Sequence, residues 1–304
     1  MSLPDFMLDG GPPPAETPVS ESRPASISDE NPTPPPFVEG VFREMPAPQY
    51  FAVEAMSQSG AKAMLRSPMH FRYERENPRP PTAAMRLGTA VHAGILEPET
   101  FEKTVAIAPD VDARTKEGRA IRAAFLAAAA GKIVLSREDF DRARRCVDAV
   151  YRHPSARYLL EGSEREISLF WRDGRYKVAC KARLDARNHG GIIDIKTTQD
   201  ASADDFSRTI ANFGYHVQGA HYFSGCEHLF DETPAFFVDI AVETEAPYGV
   251  ACHALPGNAI MAGAARMNEA LRRYSECLAS GFWPGYPETV ETITLPRWAT
   301  RADF

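Results

Sequence analysis

A chain of 304 residues, 44% apolar and 25% charged, can bury a full hydrophobic core as one or two domains. No apolar run reaches the roughly 18 residues that cross a bilayer, and the N-terminus lacks a basic-then-apolar secretion signal, so a cytoplasmic protein without membrane contact is expected. The net charge of −7 runs against a nucleic-acid partner, because phosphate binding draws on Lys and Arg releasing counterions; only a local basic surface could offset it.

The first 45 or so residues are rich in proline, including Pro12 to Pro14 and Pro34 to Pro36, interleaved with Ser, Glu and Asp. This composition predicts a disordered tail over 1–45, read as a linker. Order should begin near Tyr50, with Ser57 and Ser59 capping a helix through Ala61 to Leu65 that stops before Pro68. Arg66, His70, Arg72, Arg75, Arg79 and Arg86 follow as candidates for the local basic surface, or simply as a solvated helix face.

A second helix should cover about Ala83 to Leu96, with Met85, Val91 and Ile95 as apolar contacts, Gly88 and Ala90 for close packing, and His92 in its last two turns. Thr115 to Ala130 and Ser136 to Arg152 read as further helices, the latter opened by Ser136 and Asp139 in capping-box positions. From Glu164 the pattern turns to strands: Glu166 to Trp171, a turn at Asp173-Gly174, Tyr176 to Asp185, a break at Asn188 to Gly191, then Ile192 to Thr197. Three successive strands with tight turns make an antiparallel meander. Helices over about Ala201 to Ala211 and Tyr215 to Phe230 precede apolar strands at Ala235 to Val242 and Gly249 to Ala254, and a long helix closes at Gly257 to Ser280. No internal repeat is present, so the simplest organisation is one α/β domain over 46–285 between the tail and a C-terminal extension, 286–304. The five cysteines lie roughly 25 to 45 residues apart with no CxxC pair, as buried free thiols would, and not as a zinc or iron–sulfur centre.

In Ile192-Ile-Asp-Ile-Lys-Thr-Thr198, strand alternation puts Asp194 and Lys196 on one side and Ile193 and Ile195 in the core. A D-x-K triplet on a solvated strand is common. Embedded in β-branched residues it implies buried charge that needs a partner, and a divalent cation is a good one. The preceding strand ends at Asp185, which a short hairpin would lay beside Asp194. Two adjacent carboxylates repel unless a cation lies between them, and Mg²⁺ suits the demand because it takes one or two carboxylates and completes its shell with water and phosphate. Glu166 could add an oxygen and His92 a nitrogen, although a helical histidine against a core would look the same. On Tyr215-His-Val-Gln-Gly-Ala-His-Tyr222, residues 215, 218 and 222 fall on one helical stripe. Gln218 could hold the lysine or a phosphate, and the tyrosines could stack on a base or be core aromatics.

Together these segments resemble the RecE-like (exodeoxyribonuclease VIII) branch of the PD-(D/E)XK nucleases, related to the RecB nuclease domain, over roughly Tyr50 to Ser280. The resemblance rests on Ser57-Gln-Ser-Gly-Ala-Lys with Ser67-Pro68, Gly88-Thr-Ala-Val-His92, Glu166-Ile-Ser168 with Trp171, Asp185, Asp194-Ile-Lys-Thr-Thr198, and Tyr215-His-Val-Gln218 with Tyr222. It implies a restriction-endonuclease-like core, a central mixed sheet with an antiparallel meander flanked by helices. It further implies that His92, Asp185 and Asp194 bind Mg²⁺ or Mn²⁺, that Lys196 serves catalysis, and that Gln218 and Tyr222, with Tyr215 and Arg86 beside them, support the site or the DNA. The implied activity is 5′ to 3′ degradation of duplex DNA from a free end, by a homo-oligomer, for a single-strand annealing protein. Other RecB-like repair or adaptation endonucleases, or a catalytically silent DNA-binding subunit, are the alternatives. Leu184 stands where the family name expects proline.

Overall fold

Local capping signals divide the first half of the chain into short helices. The computed structural model describes residues 36–295. Strand β1 (Gly40–Phe42) and helix α1 (Ala47–Ala52) lead to α2 (Gln58–Arg66) and α3 (Pro68–Glu76). Ser57 caps α2 by accepting from the Gly60 N–H; Ser67 ends α2 and caps α3 through the His70 N–H, with Pro68 at the first helical position. Next come α4 (Ala83–Leu96), α5 (Phe101–Thr104), β2 (Val105–Ile107), α6 (Lys116–Ala128), β3 (Ile133–Leu135), α7 (Arg137–Arg152) and α8 (Pro154–Leu160). The Ser136 hydroxyl caps α7 through the Asp139 N–H at 3.0 Å, as the capping pattern predicts. Then follow β4 (Glu164–Arg172), β5 (Ala179–Asn188), β6 (Gly191–Thr198), α9 (Ala203–Phe213), α10 (Tyr215–Phe230), β7 (Phe237–Glu243), β8 (Val250–Ala254) and α11 (Gly257–Ser280).

Six strands form one sheet in the order β1-β4-β5-β6-β7-β8. All neighbours are antiparallel except β6 and β7, which run parallel because α9 and α10 carry the chain back across the sheet. The result is the expected mixed sheet with an antiparallel meander. Alternation along β6 sends Ile192 to a core shared with Trp171, Leu184, Tyr222 and Leu271, under α2, α10 and α11. Ile193 and Ile195 enter the opposite core, with Val91, Ile95, Phe140 and Val150 of α4 and α7. Close approach is built in on both sides. A Cβ at Gly263 would overlap the His216 carbonyl where α11 crosses α10, and one at Gly88 would come 3.2 Å from Thr197 Oγ1 where α4 lies on β6.

Several expectations change. Within the stretch read as a tail, β1 pairs with β4 because Phe37 and Phe42 pack with Tyr50 around Phe170; residues before 36 lie outside those described. Met85 is 59% exposed, since it sits in the first turn of α4, before the helix reaches the sheet. Strand β5 starts at Ala179 rather than Tyr176, because the Asp173 carboxylate accepts from the Arg175 and Tyr176 N–H groups and holds that stretch in a turn. Four of the cysteines are buried free thiols and Cys252 is half-buried. No helix among the described residues is long and apolar enough to cross a membrane.

His221 on α10 lies under Trp171, with ring centroids 4.7 Å apart, and its Nε2–H donates to the Lys181 carbonyl at 3.1 Å. Burial pushes its pKa down from 6.5 to about 4. The folded value lies below the unfolded one, so its contribution to stability is intact above pH 6.5 and is lost as pH falls toward 4. His221→Gln keeps a donor without the titration. Its stability deficit against the parent, measured by urea unfolding, should shrink by about 2 kcal/mol between pH 7 and pH 4.5; a deficit independent of pH would contradict this.

Candidate active site

The β5–β6 ladder pairs Asn188 with Gly191, Arg187 with Ile192 and Ala186 with Ile193, and ends there. Asp185 is next in line, opposite Asp194. Its Oδ2 instead accepts from the Ile195 N–H at 2.8 Å, so the side chain occupies the point where the strands part. The β4–β5 ladder is broken at the same level: Arg165 pairs with Ala186 and Ile167 with Leu184, but Glu166 and Asp185 do not pair. Glu166 has φ +53°, rare for a residue with a side chain. Across this kink the strands change face. Ile167 and Leu184 point into the core under α10, whereas Ala186 points into the core under α4. Asp185 therefore lies between the two faces and can be met from both.

From one side comes α4, whose His92 Nδ1 stands 3.4 Å from Asp185 Oδ2. Burial, only partly offset by the charge of Asp194, lowers the His92 pKa to about 4. The ring is thus neutral near pH 7 and retains a lone pair for a cation. From the other side comes α10. Asp194 is 1% exposed; its Oδ2 pairs with the Lys196 ammonium and its Oδ1 accepts from Gln218 Nε2 at 2.7 Å. Gln218 Oε1 accepts from Lys196 Nζ at 2.9 Å, while its Nε2 also donates to the Tyr222 hydroxyl at 3.0 Å. One amide thus bridges both members of the ion pair, and the acceptor-only carboxylate and donor-only ammonium fix which way it points. The Tyr215 ring centroid is 4.3 Å from Lys196 Nζ, a cation–π contact. The helical stripe 215, 218, 222 meets the D-x-K strand along its whole length.

The electrostatics follow from this crowding. Burial, then the charge of Asp194, raises the Asp185 pKa well above the usual carboxylate range. Burial works against the Lys196 ammonium, but Asp194, Asp239 and Asp185 outweigh it and raise its pKa. Two neighbouring carboxylates at the kink, beside a neutral imidazole, repel each other unless positive charge lies near. Among the described residues no three His, Cys, Asp or Glu side chains enclose an ion by themselves.

Glu166 shares the kink, but its carboxylate is paired with Arg183, which also donates to the Met45 carbonyl at 2.8 Å and to Ser168 Oγ at 3.3 Å. Burial raises its pKa against the pull of Arg183. Arg86 is spent locally at the start of α4, donating to the Pro81 carbonyl at 2.7 Å, and makes no contact with the carboxylates or Lys196. Within the suggested basic surface, Arg72 pairs with Glu76 and Arg75 with Glu54. Helical and cross-helix acids reach these arginines first.

Asp239 was not among the expected site residues. It lies on β7 in parallel register with Asp194, fully buried, and neither carboxylate oxygen has a hydrogen-bond partner among the described residues. Its pKa is raised to about 7, by burial above all. The sequence signal is the one that flagged Asp194, a lone acid inside an apolar strand, Phe236-Phe-Val-Asp-Ile-Ala-Val242. Reading that run as apolar passed over it.

A family model described as "PDDEXK-like domain of unknown function (DUF3799)" matches residues 57–296. The chain belongs to this PDDEXK-like family. Among solved structures, a "Putative exonuclease" from Eubacterium rectale is similar, with a TM-score of 0.53 and 15% identity over 86% of this chain and 99% of that one; at that identity the two share a fold. No curated protein matches. The PDDEXK-like fold, a central sheet with flanking helices, is the one expected from the sequence.

An unpartnered buried carboxylate is costly to keep. Asp239→Asn should therefore raise the stability of this PDDEXK-like chain in chelator, by about 1–3 kcal/mol in calorimetry. A lowered melting midpoint would mean that Asp239 holds the fold together.

Proposed function

We propose that the chain is a divalent-metal-dependent deoxyribonuclease using Mg²⁺, with Mn²⁺ able to substitute. The observation that carries this reading is the buried network of Asp194, Lys196 and Gln218 beside the displaced carboxylate of Asp185. His92, Asp185 and Asp194 would hold the cation. When bound it supplies Lewis-acid neutralisation at the scissile phosphate. Lys196, 13% exposed, presents an ammonium at the same face, where it orients the attacking water and donates to the charge that develops on the phosphoryl oxygens. Gln218 keeps that ammonium in place and Tyr222 keeps Gln218 in place, so the donor is organised before substrate arrives. Tyr215 shields one side of the lysine from water. Glu166 serves as an outer carboxylate, restrained by Arg183. Leu184, in place of the proline of the family name, binds nothing and leaves this chemistry intact.

The finer reading is a RecE-like exonuclease that degrades double-stranded DNA 5′ to 3′ from a free end. It would act in the cytoplasm as a homo-oligomer and deliver a single strand to an annealing protein. The catalytic domain would span the expected 46–285 together with β1, which joins its sheet, between a proline-rich tail and a C-terminal extension. Its support is the order and spacing of the motifs around His92, Asp185, Asp194, Lys196, Gln218 and Tyr222.

Linear and covalently closed circular duplexes of one sequence, incubated with Mg²⁺, separate the levels of this proposal. Digestion of the linear form alone is expected; nicking of the circle would make the enzyme an endonuclease. Lys196→Ala should lower the rate by roughly a hundred- to a thousandfold and Asp194→Ala by at least as much, with the circular dichroism of the folded protein retained. Full activity in both variants would remove the assignment.

A further inference from the structure

A groove of about 370 Å³ lies between α2, the α9–α10 junction and α11. Lys62 and Arg66 of α2, His216 of α10 and Arg266 of α11 line it, and no carboxylate does. Among the described residues none of Lys62, Arg66 and Arg266 forms an ion pair, although Arg72, Arg75, Arg272 and Arg273 nearby in sequence all do. Arg66 donates only to the Tyr286 hydroxyl, at 3.3 Å. In a chain of net charge −7, three uncompensated cations in one concavity form a local site for a polyanion.

The groove also leads to the active site. Phe213 ends α9 with 54% of its surface exposed, and Lys62 Nζ lies 5.0 Å from its ring centroid. Phe213 in turn stacks on Tyr215 at 5.9 Å, and Tyr215 covers Lys196 Nζ at 4.3 Å. Cations and aromatics therefore alternate from the groove to the proposed catalytic lysine. Exposed aromatics flanked by cations are what sequence-independent single-strand sites are made of, because every unpaired base offers a π-face and every linkage a charge.

We propose that this groove holds the phosphodiester backbone of one DNA strand, with Phe213 stacking an unpaired base, on the path between bulk solvent and Lys196. The proposal rests on the nuclease reading and names where its substrate strand lies. Of the basic cluster expected from the sequence, Arg66 belongs to this groove, where Lys62 and Arg266 join it.

The test is fluorescence anisotropy of a labelled single-stranded oligonucleotide with the full chain in chelator, over a range of salt concentrations. Combining Lys62→Gln, Arg66→Gln and Arg266→Gln should weaken binding on the order of a hundredfold at 0.1 M salt and reduce the slope of log affinity against log salt by about 2. Phe213→Ala should weaken it by about tenfold and leave the slope unchanged. If the triple variant melts early, each single variant carries the test with a loss of about fivefold and a slope change of about 0.7. Parental affinity and slope in the cation variants overturns the groove while leaving the nuclease reading intact. A parent protein that neither binds nor cuts DNA overturns both.

Discussion

Everything at the candidate site depends on one buried ion pair. Asp194 and Lys196 sit two residues apart on the same face of β6, where water reaches the lysine only at its edge and the aspartate hardly at all, and Gln218 is the neutral group that satisfies both. Breaking such a pair on one side typically costs about 3–5 kcal/mol, because the remaining charge is stranded, whereas replacing both members with apolar groups is often neutral or better. The pair is therefore weak evidence for stability. It is much stronger evidence of a use for the charges, above all with Asp185 and Asp239 crowding in more negative charge that nothing in the fold requires.

The sheet and its helices read as the means of keeping that charge in place. The kink at Glu166 and Asp185 interrupts both ladders at one level, which frees a carboxylate to face neither core and lets helices from opposite sides reach it. Gly88 eases the approach of helix α4, where a Cβ would come 3.2 Å from Thr197 Oγ1. Helix α10 does two jobs with one surface: Val217 and Tyr222 pack in the core, and Gln218 and Tyr222 serve the site. Packing errors along α10 would thus be felt in the chemistry as much as in stability.

Much of this was legible in the sequence because it is local. Caps at Ser57 and Ser136, the apolar alternation of Ile192 to Ile195, and the 215, 218, 222 stripe each depend on residues within a turn or two. What escaped depends on register and distance. The parallel pairing that sets Asp239 beside Asp194 joins strands separated by two helices. The pairing of Glu166 with Arg183 depends on which residues fall opposite each other across β4 and β5, and on a positive φ with no sequence signature. Strands β1, β2 and β3, three residues each, are too short for alternation to announce them. Of the arginines among which the basic surface was sought, Arg72 and Arg75 are paired with acids and Arg66 is not. The uncompensated cations lie on two helices far apart in sequence, α2 and α11, and become neighbours only in the fold.

The central claim is that Asp185 and Asp194 are carboxylates arranged for a divalent cation, and metal binding measured without DNA tests it most directly. Titration of Mn²⁺ into the chelator-stripped protein, followed by electron paramagnetic resonance of the free ion, should show saturable binding that Asp185→Asn and Asp194→Asn each weaken by at least about tenfold, the loss of one charged ligand costing 1.4 kcal/mol or more. Mn²⁺ affinity unchanged by both substitutions would contradict it.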